Sequence, residues 1–141
     1  MEETQIFEFD KVQTASPKIA EAYIYLKQLD AATEVSQGDD LERLTSKLGA
    51  VFGLAARIKA CLCDYLGLEY AEEAVSGTLA SEIFSILSSV SDEAFIKDAS
   101  GTLSAAELKD RLHASDILAS RLPFMIAGLD AGEDLSENRN M

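Results

Sequence analysis

The chain has 141 residues, 48% apolar and 26% charged, a balance that supports one globular core. Twelve Lys and Arg against 25 Asp and Glu leave a net charge of −13. That argues against a direct nucleic-acid binder, which needs a basic face, and against docking on an anionic membrane, while it favours a protein partner with a basic surface. The longest apolar run, Leu48 to Ala56, falls far short of the ~20 residues that cross a bilayer.

Helical periodicity dominates. The expected fold is all-α: a small bundle around a long central helix at about 40–66, with a short N-terminal β-strand arm. The expected organisation is an arm at 1–12, a helical domain at 13–129 and a disordered acidic tail at 130–141. Residues 4–9, TQIFEF, favour extended backbone, and no second strand stands ready to pair with them. Ile6, Phe7 and Phe9 are therefore candidate partner-binding residues. They either pack on their own helices or add to another chain.

Ser16-Pro17 is a helix start, a capping hydroxyl followed by Pro at the first helical position. The spacing of Ile19, Ala22, Tyr23, Leu26 and Leu29 predicts a helix from 17 to about 35, with Lys18, Glu21, Lys27 and Asp30 mostly on the opposite side. Asp39 can cap the second helix, with Glu42 reaching back to it. The segment from Lys47 to Leu66 is apolar on nearly every side, which predicts a helix buried all round, stopped by Gly67. Gly49 and Gly53 stand four apart there, with Ala56 and Ala60 close to the same side. Small residues in a row let another helix approach, either within the chain or from a second copy, so Gly49 and Gly53 join the candidate partner-binding residues and a homodimer is one reading.

Beyond Gly67, LEYAEEAV can form two helical turns, and Ser76-Gly77-Thr78 is a turn before a helix carrying Leu79, Ile83, Phe84, Leu87 and Val90. Ser91-Asp92-Glu93 reads as the restart of a short helix through Ile96. A last helix begins at Ser104 and is kinked or ended by Pro123, with FMIAGL as a final apolar patch.

Phe95 to Leu112 contains a loop-like stretch. With Gly101 at position 6, Asp98, Ser100, Thr102, Ser104 and Glu107 fall at positions 3, 5, 7, 9 and 12, and the stretch resembles the EF-hand calcium loop family. The resemblance implies Asp98, Ser100, Thr102 and Glu107 as weak metal candidates. It covers about a dozen residues, departs from the family at position 1, where Ile96 replaces a carboxylate, and has no second loop. The same residues read without metal as a capping box, Ser104 with Glu107, flanked by Leu103 and Leu108 as a hydrophobic staple. The capping box needs no missing ligand and is the preferred reading, so no metal and no cofactor are expected.

No catalytic constellation is present. His113 is the one histidine, and Cys61 and Cys63 diverge on a helix and cannot pair with each other. Reduced thiols and the acidic start Met1-Glu2-Glu3 predict a cytoplasmic protein. The expected function is a non-enzymatic protein–protein interaction module: an adaptor, an inhibitor or an assembly chaperone. Phage tail-assembly chaperones are similar in length, charge and loose ends, though no shared motif supports the analogy. A nucleic-acid-mimicking inhibitor is the first alternative, weakened by acids spread along the chain and interrupted by Lys and Arg. A calcium-responsive protein built on the 98–107 loop is the second.

Overall fold

The computed structural model describes residues 7–95 and 103–132. These form five α-helices, α1 (Pro17–Ala32), α2 (Leu41–Leu66), α3 (Leu79–Ala94), α4 (Ala105–Ala119) and α5 (Leu122–Asp130), with single 3-10 turns at Phe9–Lys11 and Ala71–Glu73. No strand occurs among the described residues. Of the expected strand at 4–9, residues 4–6, Ile6 among them, lie outside the described residues, and Phe9 belongs to the 3-10 turn at Phe9–Lys11.

Local chemistry sets the helix ends. The Ser16 hydroxyl accepts from the Ile19 amide at 3.2 Å, and Pro17 opens α1. The helix stops at Ala32, short of the expected Val35, where the Thr33 hydroxyl turns back onto the Asp30 carbonyl. Asp40, not Asp39, caps α2 by accepting from the Arg43 amide at 2.9 Å. Asp39 is turned inward, because Lys47 and Arg43 offer it two cations that a capping position would forgo. Gly67 closes α2 in the left-handed region at φ 73°, where a glycine carries no Cβ penalty, and the Leu68 amide donates to the Cys63 carbonyl.

LEYAEEAV makes one 3-10 turn rather than two helical turns. Helix α3, capped by the Thr78 hydroxyl, runs unbroken to Ala94, so Ser91-Asp92-Glu93 restarts nothing. Leu87, Val90 and Ala94 are all buried, and this continuing apolar face carries the helix past its polar residues. Ser104 and Glu107 form the capping box in full, and the expected kink or end at Pro123 appears as a break: α4 stops at Ala119, four residues earlier, and Pro123 sits in the first turn of α5.

Helix α2 packs on α1, α3 and α4, while α5 packs chiefly on α3 and α1. Leu44, Leu48, Val51, Ile58 and Leu62 point from α2 into the core, meeting Ile19, Ile83, Leu87, Leu112 and Ile126. Central as it is, α2 is not hidden on all sides. Gly49, Ala50, Phe52, Ala56, Arg57, Ala60 and Asp64 are exposed along one strip. These residues are apolar by count, yet most have little side chain to withdraw from water, so the neighbouring helices cover the Leu, Ile and Val faces instead.

The expectation that Gly49 and Gly53 admit an intrachain crossing is likewise corrected: a Cβ placed on either would meet nothing within 4 Å. Gly53→Ala should therefore stabilise the fold, by up to about 1 kcal/mol, through helix propensity alone. Urea unfolding of the two proteins checks this. A lower midpoint for the alanine variant would mean that something outside this chain occupies the strip.

Candidate protein-docking site

The arm and three helices build one cleft. The Phe7 ring stacks on Tyr23 at 5.6 Å and meets Phe124 edge-on at 5.2 Å, with Phe9 4.9 Å away on its other side. Phe7 and Phe9 thus pack on their own bundle. Burial, with the charge of Asp130 adding to it, pushes the Tyr23 phenol up to about 12. The aromatic cluster walls a cleft of about 190 Å³ whose lining includes Phe7, Phe9, Pro123 and Phe124 together with Asp30 and Asp116.

Electrostatically the cleft favours a cation. Asp30 lies in the last turn of α1 and Asp116 in the last turn of α4, where the carbonyl ends of both helices already carry partial negative charge. No basic residue occupies either last turn. The Thr33 hydroxyl, buried at the end of α1, stands 3.2 Å from Asp116 Oδ1 and 3.1 Å from the Asp30 carbonyl, and these two acceptors share its one proton. Desolvation first, then the charges of Asp116 and Glu34, push the Asp30 carboxyl above its ordinary value. Neither Asp30 nor Asp116 forms an ion pair among the described residues, although Arg121 follows the cleft residue Ser120 directly.

A second acid node is already satisfied. Asp39, 3% exposed at its side chain, accepts from Lys47 Nζ at 2.6 Å, from the Ser36 amide at 2.8 Å and from Arg43 Nε at 3.3 Å. Lys47 also donates to the Glu34 carbonyl at 2.6 Å, tying the loop after α1 to α2. Hydrogen bonds from Lys47 and then from the Ser36 amide hold the Asp39 carboxyl below its ordinary 3.8. With its acceptors taken, this node is a structural clamp.

The other sequence-derived candidates separate. Gly49 and Gly53 lie on the open strip of α2, bordered by exposed Phe52, whose ring stands 5.8 Å from that of exposed Phe95. Residues 43 to 63 carry no Asp or Glu, so the strip is free of acids until Asp64 at its C-terminal end. Asp98, Ser100 and Thr102 lie outside the described residues, and Glu107 is engaged at 2.7 Å with the Ser104 amide. Cys61 and Cys63 are buried and unpaired with each other, and burial pushes both thiols up. His113 is exposed on α4. Among the described residues no three His, Cys, Asp or Glu side chains are placed to hold a metal, and no helix is long and apolar enough to cross a membrane.

Asp30, Asp116 and Phe124 escaped the sequence reading. Asp30 belongs to a face that reads as solvated, and Phe124 to a patch that reads as generic core. The meeting of α1 with α4, across 83 positions between Thr33 and Asp116, leaves no local signature.

Fold and site together define an acidic helical bundle with an aromatic, carboxylate-bearing cleft. No family of known proteins, no curated protein and no solved structure matches the chain.

Proposed function

We propose that this chain is a non-enzymatic docking protein: an adaptor, inhibitor or assembly chaperone that binds a basic segment of another protein. One observation carries the reading. The cleft sets aromatic walls beside two carboxylates that have no cationic partner among the described residues, at the converging C-terminal turns of α1 and α4. A docking partner supplies both missing components, apolar contact for the rings and positive charge for the acids. The chain's net charge of −13 draws such a partner in and speeds the encounter.

Fluorescence anisotropy with a labelled Lys- and Arg-rich peptide tests the reading. The peptide should bind at low ionic strength, weaken as salt is added, and bind far better than a neutral peptide of the same length. Equal binding of basic and neutral peptides, or no binding of either, would overturn it.

A further inference from the structure

We infer that the cleft between the arm, α1, α4 and α5 receives the side chain of a single arginine from that basic segment. The inference rests on the docking reading and goes further by naming the anchor and the atoms that hold it. The guanidinium meets the carboxylates of Asp30 and Asp116, and its methylene stem lies along Phe7, Phe9 and Phe124.

The chemistry of the lining selects this occupant. Most of the wall is apolar or aromatic, which suits a hydrocarbon stem, and the wall also carries two acids. A guanidinium is planar, is weakly hydrated, stacks on aromatic faces and offers a fixed fork of donors to carboxylates. An ammonium is a compact, strongly hydrated point charge that gains less from ring walls. A divalent cation fits worse, since calcium seeks six to eight oxygens and magnesium a near-ideal octahedron. Here two carboxylates share the lining with phenylalanine and proline, too few oxygens for either ion.

Glu34 adds negative charge near Asp30, and exposed Arg121 stands beside Ser120 without an ion pair to either acid. An arginine that enters relieves the repulsion between Asp30, Asp116 and Glu34.

The test uses the full chain and three labelled peptides that differ at one position: arginine, lysine or citrulline, the last being isosteric with arginine but uncharged. Asp30→Asn is compared with Asp92→Asn, which removes the same charge from exposed α3. The arginine peptide should bind about tenfold more tightly than the other two, the scale of one charge-assisted hydrogen-bond pair. Asp30→Asn should remove about tenfold of that affinity, and Asp92→Asn less than about twofold. Addition of the arginine peptide should also shift the ring resonances of Phe7 and Phe124.

Both substituted sites are exposed, so loss of fold is not expected, and circular dichroism confirms that each variant is helical. Equal affinity for arginine and lysine peptides, or equal loss in the two variants, overturns the arginine anchor while leaving the docking reading intact. Absence of binding by every basic peptide overturns the docking reading itself.

Discussion

Ile58→Ala should lower the unfolding free energy by about 2–5 kcal/mol, a large part of the 5–15 kcal/mol typical of a domain. Ile58 is 0% exposed on the inward face of α2, in the cluster where α1, α2, α3 and α4 meet. Truncation loses the transfer energy of the removed carbons and leaves a cavity that surrounding helices fill only in part. Two residues on, exposed Ala60 provides the matched control. Ala60→Ser changes a side chain on the same helix at the strip open to water and should shift stability by no more than about 0.5 kcal/mol. Urea unfolding followed by circular dichroism measures both. Comparable losses in the two variants would mean that α2 does not have one buried and one open face.

Asp39→Asn should destabilise the fold at neutral pH and should lose that effect in acid. In the folded chain Lys47, the Ser36 amide and Arg43 favour the ionised carboxylate, so its folded pKa lies below the ordinary 3.8. A depressed carboxylate contributes stability that is fully present above the unfolded value and is lost as pH falls through the folded one. The gap between wild type and variant should therefore be constant near neutrality, narrow below about pH 4 and close in stronger acid. Asparagine keeps the shape and one acceptor oxygen but removes the negative charge that faces the partly buried Lys47. Urea midpoints collected from neutral to acid pH test this. An unchanged gap down to strong acid would show that shape, rather than charge, holds the loop between α1 and α2. Asp30 has the opposite sign: its raised carboxyl weighs against the fold when ionised, and protonation relieves it.

Much of the architecture was legible because its causes are local. Ser16-Pro17 and the Ser104–Glu107 pair announce helix starts through side chain-to-amide hydrogen bonds that span three residues. Gly67 announces a stop by tolerating the left-handed region. The periodic Leu, Ile and Val of α2 announced the long element around which the others pack. Where neighbours compete for one role, legibility failed. Asp39 and Asp40 are both plausible caps, and only the placement of Lys47 and Arg43 decides which one turns inward. Counting apolar residues likewise overstated burial around α2, because Gly and Ala score as apolar while offering little surface to hide.

By itself, the amino-acid order determined an all-α bundle, a long central helix, a strongly anionic surface and the capping chemistry at the helix starts. Those properties follow from steric preference, three- and four-residue periodicity and net charge, all of which act within a few residues or over the whole chain. Only the tertiary structure decided that Phe7 and Phe9 fold back onto Tyr23 and Phe124, that Gly49 and Gly53 face open space, and that Asp30 and Asp116 share one cleft. Each is a meeting, or a failure to meet, between residues far apart along the chain. Such contacts are set by how whole helices share a limited core, and no short window of sequence carries that competition.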